Sequence, residues 1–339
     1  MSAHGHSNAL IPERAARRLG PVSMRRRGFI AAGLLVACVL PFMLPSYMLF
    51  QLTMVMAYAL ALLGLNLLTG FNGQISLGHG AFFALGAYAA AMLIELAGWP
   101  YWATLPAAAL LGGVVGYLFG RPALKLDGVY LALATFALGV VTPQLLKYKG
   151  LEPWTGGSQG IVLDKPDAPF GLPLNADQWL YFFGLAVVLL MFLVAHNLLR
   201  GAIGQSLIAV RDHPIAAEAM GIDKARVKSI TFGISALYTS VGGALSAVAV
   251  QFVAPDSFTV FLSISLLVGA VVGGLSSLSG ALYGAVFIQF VPAFAEQVSK
   301  AAPWAVYGAI LLVLMLVWPT GVAGGVARLQ SWITSRSTS

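Results

Sequence analysis

The sequence predicts an all-α membrane protein that crosses the bilayer about ten times, and three observations lead to this fold class. The chain has 339 residues, of which 59% are hydrophobic and only 9% are charged, whereas a soluble domain carries about 25% charged residues. No charged residue occurs between Arg27 and Glu95, a run long enough for about three helices of ~20 residues each. The apolar runs also lack the alternation that a β-barrel requires, so helices are the structure that satisfies the backbone in lipid.

The charge-free runs give the predicted spans in chain order. Each later run fits one span, except that Ser257–Ala295 is long enough for two. The predicted spans are 29–48, 50–69, 74–96, 101–119, 128–147, 178–198, 230–252, 258–275, 280–297 and 303–319.

Glycines recur four residues apart within the predicted spans. Such spacing lets two helix backbones approach closely in lipid, where the hydrophobic effect does not drive helices together. We therefore expect a tightly packed bundle. The glycine stripes are Gly112, Gly116 and Gly120; Gly269 and Gly273; and Gly280 and Gly284.

The basic residues predict the orientation. If the N-terminus is cytoplasmic, ten alternating spans place most of the 19 Lys and Arg residues on the cytoplasmic side, as the positive-inside rule requires. Both termini are then cytoplasmic. We divide the chain into a basic tail (1–28), a transmembrane domain (29–325) and a second tail (326–339), with an outer loop (148–177) and a cytoplasmic loop (199–229).

Several kinds of chemistry have no motif in the sequence. There is no HExxH, no CxxC pair and no GxxxxGK[ST], and the glycine-rich "TGGSQG" at 155–160 lacks the lysine of a phosphate loop. We expect no catalytic residue, no metal and no cofactor on this chain. The net charge of +7 reflects membrane orientation, so nucleic acid is not an expected partner.

The stretch "LNLLTGFNGQISLGHGAFFA" (65–84) predicts a helix break, because it combines glycines with uncharged polar residues inside a long apolar run. Broken helices at membrane depth occur where they are buried in protein or line a cavity. A fainter echo, "GLSSLSGALYGA" (274–285), predicts a second break. The polar residues of the first stretch line a solute path or, as the alternative, only satisfy the kinked helix. They are Asn66, Asn72, Gln74, Ser76 and His79.

The cytoplasmic loop contains a short predicted helix. Asp212 or His213 supplies the N-cap, Pro214 takes the first helical position, and Gly221 ends the helix in a left-handed conformation. The body "IAAEAM" is too short to be stable alone in water. We therefore expect a partner surface that holds it.

Two of these motifs are specific enough to resemble a known family. "NLLTGFNGQISLGHGAFFALGAYAAA" (66–91) resembles the signature of permease subunits of branched-chain amino acid ABC importers, and "AVRDHPIAAEAMGIDKARVKSITFGISALYTSVGGAL" (209–245) resembles the segment of that family that contacts the ATPases. "TGGSQGI" and "GGLSSLSGALYGAVF" are weaker matches. The resemblance covers roughly residues 50–320.

The resemblance implies a bacterial inner-membrane assembly. Its other members would be a second, homologous permease, two ATP-binding subunits at the cytoplasmic face and an extracytoplasmic substrate-binding protein, with ATP and Mg bound by the ATPases. Mapped onto this chain, the coupling helix is about Pro214–Met220, ending at Gly221. Our hypothesis is that Glu218 makes a polar contact there and that Ile215 and Met220 make apolar contacts.

The cargo and the energy source each have an alternative. The family's commonest cargo is leucine, isoleucine and valine, but similar permeases are associated with urea, short amides and aromatic acids. The rival to an ATP-driven importer is a secondary transporter or facilitator that acts alone. Ion-coupled carriers usually keep ionisable groups inside their spans, and here Glu95, Asp256 and Glu296 all fall at predicted helix ends.

Overall fold

The computed structural model describes residues 24–336, apart from 124, 125, 127 and 170–172. Most of the predicted basic tail, residues 1–23, lies outside the described residues. Contacts divide the chain into one unit that ends at Met43 and a second that begins at Leu44.

The first unit contains helix α1 (Met24–Val39) and a 3₁₀ turn (Leu40–Phe42). Helix α1 begins at Met24, five residues before the predicted start of the first span at 29, while the predicted tail boundary after residue 28 stays a prediction. The single span predicted for 29–48 is also interrupted, because Pro41 lies in the turn and Pro45 precedes the next helix. Proline has no N–H to donate to the helix ladder.

The second unit is a bundle of α-helices with one two-stranded sheet. Its helices are α2 Ser46–Leu65, α3 His79–Glu95, α4 Tyr101–Ala123, α5 Val129–Leu146, α6 Glu152–Thr155, α7 Ala176–Arg200, α8 Ala202–Asp212, α9 Pro214–Ala219, α10 Lys224–Val250, α11 Val260–Gly273, α12 Leu278–Val298, α13 Pro303–Val317 and α14 Gly321–Arg336.

Within the second unit, two helix starts differ from the prediction by five residues or more. Helix α3 begins at His79, five residues after the predicted 74, because the chain between the helices is non-helical. Helix α10 begins at Lys224 and not at 230. The carboxylate of Asp223 caps it by accepting a hydrogen bond from Arg226 N at 3.0 Å, which satisfies one of the free N–H groups of the first turn.

The all-α membrane fold is confirmed, while ten full crossings stay a prediction. Among the described residues, six helices are long and apolar enough to cross a membrane, and a pair bent by 43° (Pro303–Val317 with Gly321–Leu329) makes a seventh. The remaining predicted spans correspond to the shorter apolar helices Ala32–Phe42, His79–Glu95 and Val260–Gly273.

The outer loop is more ordered than its composition suggests. Its described part contains the short helix α6 and strand β1 (Ile161–Val162), which pairs antiparallel with β2 (Phe252–Val253). Leu163 N extends this pairing by donating to Gln251 O at 2.8 Å. The loop is therefore fastened to the segment that follows α10.

Helix α10 is the centre of the bundle, since it packs against α2, α3 and α4 and buries most of its side chains. Glycines bring the backbones together. A Cβ at Gly86 of α3 would collide with the carbonyl oxygen of Ser240, and one at Gly243 would collide with that of Phe83. The contact between α3 and α10 therefore requires glycine on both helices.

The predicted glycine stripes are confirmed as packing surfaces. Gly112, Gly116 and Gly120 of α4 lie against α10, where added Cβ atoms would meet Ser240, Ala236 and Phe232. The second and third stripes face each other across α11 and α12, since a Cβ at Gly273 would collide with the carbonyl of Gly280 and one at Gly284 with that of Gly269.

Candidate functional site

The two similar sequence stretches predicted two helix breaks, and both are present and meet at one end of the bundle. We call residues 72–78, between α2 and α3, the first break, and residues 274–277, between α11 and α12, the second break. Before the first break, α2 continues as a π-helical segment, Asn66–Phe71. Helix α8 packs against the π-helical segment at this end. Because α9 follows directly after α8, we call this end of the molecule the α9 end.

Asn66 fastens the second break to the π-helical segment. Its amide nitrogen donates to Ser277 O at 2.7 Å and to Gly274 O at 3.4 Å, and its amide oxygen accepts from Ser276 N at 2.8 Å. The Asn66 side chain is 1% exposed. Gly70 leaves room for this arrangement, since a Cβ there would collide with the Asn66 amide oxygen. Asn66 thus holds the backbone of the second break from its position in the π-helical segment.

His79 is buried, and both of its ring nitrogens have partners. Nε2 lies 2.7 Å from Ser235 Oγ on α10, and Nδ1 lies 2.9 Å from Ser76 Oγ. Because Ser235 Oγ donates its own hydrogen to Gly64 O at 2.6 Å, it accepts from His79 Nε2–H, and Nδ1 then accepts from Ser76. A neutral His79 therefore satisfies the whole chain of bonds and ties α2, α3 and α10 together.

The side-chain amides of Gln74 and Asn72 differ in their hydrogen bonding. Gln74 is 7% exposed, and its side-chain nitrogen donates to Lys228 O at 3.3 Å, near the start of α10. Asn72 is 2% exposed, and neither atom of its amide has a hydrogen-bond partner in the described part of the chain. A buried amide without partners costs about 1–3 kcal/mol, so Asn72 retains unused hydrogen-bonding capacity.

The five residues predicted for a solute path therefore come together around the first break, and all five are buried. Asn66, Gln74 and His79 bond to distant segments of the chain, whereas Ser76 bonds locally to Gly78 N and the His79 ring. Their role in lining a path stays a prediction, because it requires a conformation in which the breaks separate. Among the described residues, no three His, Cys, Asp or Glu side chains come together as a metal site.

The predicted short helix is confirmed as α9, with Pro214 at its first turn. Gly221 is left-handed (φ 84°), Gly221 N donates to Glu218 O at 2.9 Å, and Ile222 N donates to Ala217 O at 3.0 Å. These two bonds form a Schellman motif, which satisfies the last carbonyls of the helix. The predicted side-chain cap is wrong: His213 stands at the N-cap without capping, and the Asp212 carboxylate bonds to Arg211 Nε at 2.8 Å.

Helix α9 projects from the α9 end with large apolar side chains uncovered. Ile215 is 83% exposed and Met220 is 84% exposed, while Ala217 provides the buried contact of the helix. Glu218 pairs with Lys224 at 3.1 Å in an exposed ion pair. Helix α9 is thus six residues long with one buried alanine, too short to be stable alone in water, and large apolar side chains lie on its surface.

Sequence reasoning missed helix α8 and its last residues. Gly204, Leu207 and Val210 recur three residues apart and are buried, and this helical periodicity was the available signal. It also missed Arg211, whose guanidinium bonds to Gly70 in the π-helical segment and to Ser276 in the second break. No local pattern identifies that contact, because its partners lie 141 and 65 residues away.

Comparison with known proteins agrees with these features. Residues 47–318 match the family described as branched-chain amino acid transport system / permease component. The chain is 32% identical over 324 residues to the high-affinity branched-chain amino acid transport system permease protein LivM of Salmonella typhimurium, covering 88% of this chain and 75% of that protein.

More distant relatives are permeases as well. The chain is 25% identical over 295 residues to the high-affinity branched-chain amino acid transport system permease protein LivH of Escherichia coli, covering 79% of this chain and 91% of LivH. It is 27% identical over 270 residues to the autoinducer 2 import system permease protein LsrC of Escherichia coli, covering 74% of each. No solved structure matches the fold significantly. With the match over most of its length and its apolar helices, the chain belongs to the permease family of branched-chain amino acid ABC transport and is a multi-pass protein of the bacterial inner membrane.

Proposed function

We propose that this chain is the membrane-spanning permease subunit of an ATP-driven importer. It moves branched-chain or related hydrophobic and neutral amino acids across the bacterial inner membrane, and partner subunits hydrolyse the ATP. The observation that carries the proposal is α9: a short helix in a family-specific segment that exposes Ile215 and Met220 and requires a partner to bury them. Glu218 would add a polar contact, with Pro214 and Gly221 fixing the ends of the helix.

In this proposal the chain crosses the membrane ten times, with both termini cytoplasmic. The three shorter apolar helices complete the count when added to the seven longer spans. The α9 end is then cytoplasmic, in agreement with the basic residues in loop 199–229. The transmembrane domain is 29–325 and the second tail begins at 326. In the structure, that tail continues α14 as far as Arg336.

The proposed partners follow from the relatives and from α9. LivH of Escherichia coli is the model for a second, homologous permease. Two ATP-binding subunits would dock on the α9 surfaces, and an extracytoplasmic binding protein would deliver substrate to the opposite face. ATP and Mg would be bound by the ATP-binding subunits, and this chain would need no cofactor of its own.

The cargo we favour is leucine, isoleucine and valine, because the names of both LivM and LivH specify branched-chain amino acids. Urea, short amides and aromatic acids are the alternative cargo. The name of LsrC, an autoinducer 2 permease, supports the view that this fold serves more than one class of solute.

We further propose that the solute path passes the first break when the two breaks separate. Asn72 would then supply its unpartnered amide, and Gln74, Ser76 and His79 would exchange protein partners for solute or water, with Asn66 at the boundary. Alanine substitutions at Gln74 and His79 test this role. A raised KM for uptake at equal amounts of folded transporter supports it, and an unchanged KM refutes it.

The function itself is tested by reconstitution in liposomes with the partner subunits, loaded binding protein and internal ATP. We expect accumulation of labelled leucine that requires ATP and stops when the ATP-binding subunits are omitted. A carrier that acts alone would instead accumulate leucine without them and lose that ability when proton and sodium gradients are abolished.

A further inference from the structure

Arg211 lies at the junction between α9 and the helix breaks. It is in the last turn of α8, three residues before Pro214, so it lies in the turn that connects directly to α9. Its side chain is 31% exposed and points inward, away from the exposed surface of α9.

The guanidinium of Arg211 joins the second break to the π-helical segment that leads into the first break. Nη1 donates to Gly70 O, at the end of the π-helical segment, at 2.7 Å, and to Ser276 Oγ, in the second break, at 2.9 Å. Ser276 Oγ in turn donates to Gly70 O at 2.6 Å. Arg211, Gly70 and Ser276 thus form a closed triangle of hydrogen bonds, which we call the Arg211 triangle.

The backbone of Ser276 is in an unusual conformation within this triangle. Its φ is +60°, in the left-handed region that residues with a Cβ rarely adopt. Three bonds hold it there: from its N–H to Asn66, from its hydroxyl to Gly70, and from Arg211 to its hydroxyl. Such conformations persist where surrounding contacts over-determine them, and they cluster in segments that switch.

The first break is shaped to accept Arg211. Gly73 has φ +74°, and a Cβ added there would lie 2.9 Å from Arg211 Cγ. Nε of Arg211 is held separately by Asp212, which fixes the plane of the guanidinium. A lysine could supply the charge but not this fork of donors.

We propose that Arg211 is a positioning residue that transmits displacement of α9 to both helix breaks. This inference rests on the proposed function, because it assumes that ATP-binding subunits move α9. Arg211 holds Gly70 and Ser276 together in the conformation seen here. When α9 is displaced, the Arg211 triangle opens, Ser276 leaves its left-handed conformation, and the two breaks separate at the point where the path is proposed.

The test measures the distance between the breaks in the assembled transporter. Ile75 and Leu275 are the suitable label sites, since they lie in the first and second breaks and are 46% and 41% exposed. Cysteines at both positions, in a Cys38→Ser background, carry spin labels. In the transporter with native Arg211 we expect the distance distribution to shift when a non-hydrolysable ATP analogue is added.

Arg211→Gln is the decisive variant. We expect its distance distribution to be broad without nucleotide and unresponsive to the analogue. We also expect leucine transported per ATP hydrolysed to fall about tenfold, since charge-assisted hydrogen bonds are lost, while the ATP-binding subunits still co-purify because the α9 surface is intact. Arg211→Lys should retain part of the response and shows whether folding has been preserved.

Arg200→Gln is the matched control, because Arg200 ends α7 at the same end of the bundle and is exposed. It removes the same charge without touching the breaks and should behave as the wild type. A nucleotide response in Arg211→Gln equal to the wild type overturns the proposal, as does a wild-type transporter whose breaks do not move. If the wild type shows no ATP-dependent uptake, the proposed function fails as well; if uptake is normal and Arg211→Gln is unaffected, only the role of Arg211 fails.

Discussion

The two breaks and helix α9 lie at the same end of the molecule but are stabilised in opposite ways. The breaks are closed by bonds among buried groups: Asn66 holds three backbone groups of the second break, and His79 bonds to hydroxyls on both sides. Helix α9 has its own backbone bonds completed by the Schellman motif, yet Ile215 and Met220 remain uncovered.

This difference separates residues that the chain needs in order to fold from residues that it needs in order to work with partners. A buried hydrogen-bonded group is already satisfied within one chain, so removing it leaves its partners unsatisfied. An exposed apolar side chain contributes little to the folded monomer, so its loss should register only when a second protein covers it. The four predictions below test this separation.

The largest expected effect is on the packing of α3 against α10. Gly86→Ala introduces a Cβ that collides with the carbonyl of Ser240, and overpacking of this kind costs about 1–3 kcal/mol. We expect a clear fall in the yield and thermal stability of the purified protein. The matched control is Gly308→Ala in α13, where an added Cβ meets no atom within 4 Å among the described residues. Equal stability of the two variants would refute the close contact.

The next largest effect is expected from a comparison of the stability of alanine variants at two asparagines near the first break. Asn66→Ala removes three hydrogen bonds to the second break and should lower stability by about 2 kcal/mol. Asn72→Ala removes an amide that has no partner in the described structure, so stability should stay the same or rise. Thermal unfolding of both variants in detergent checks this. If Asn72→Ala lowers the stability more than Asn66→Ala does, the prediction is wrong and the Asn72 amide is hydrogen-bonded by bound water or solute.

How far the sequence could predict this molecule depends on the range of the interactions. Local signals located the first break, the glycine stripes and α9, because glycine and proline preferences act over a few residues. The hydrogen-bond partners of the breaks could not be predicted from local sequence. Asn66 bonds to residues 208 to 211 positions away, and nothing in the sequence around Ser235 indicates that it faces His79. The end of α1, which Pro41 follows, and the start of α10, which Asp223 caps, were also missed, because hydropathy alone does not indicate where a helix is capped or interrupted.

A smaller effect is expected at the docking surface. Ile215→Ser should leave the unfolding temperature unchanged, because the side chain is 83% exposed, but it should weaken binding of the ATP-binding subunits by about tenfold, as for a central apolar contact. Quantitative co-purification from detergent measures this. The control is Ile203→Ser on α8, where the side chain is 49% exposed but off α9. A stability loss in Ile215→Ser, or equal binding in both variants, would contradict the assignment of α9 as the docking surface.

The smallest effect is expected for the ion pair between Glu218 and Lys224. The two side chains are 50% and 38% exposed and lie 3.1 Å apart, and exposed pairs contribute about 0–1 kcal/mol. Glu218→Ala should therefore change the unfolding temperature very little, and any effect should appear in ATPase stimulation by loaded binding protein. Lys224→Ala breaks the same pair but leaves the carboxylate on α9, so it separates the two roles. If Glu218 contacts the ATPase, only Glu218→Ala lowers stimulation; if the ion pair merely positions α9, both variants lower it equally, and unchanged stimulation in both removes Glu218 from the coupling surface.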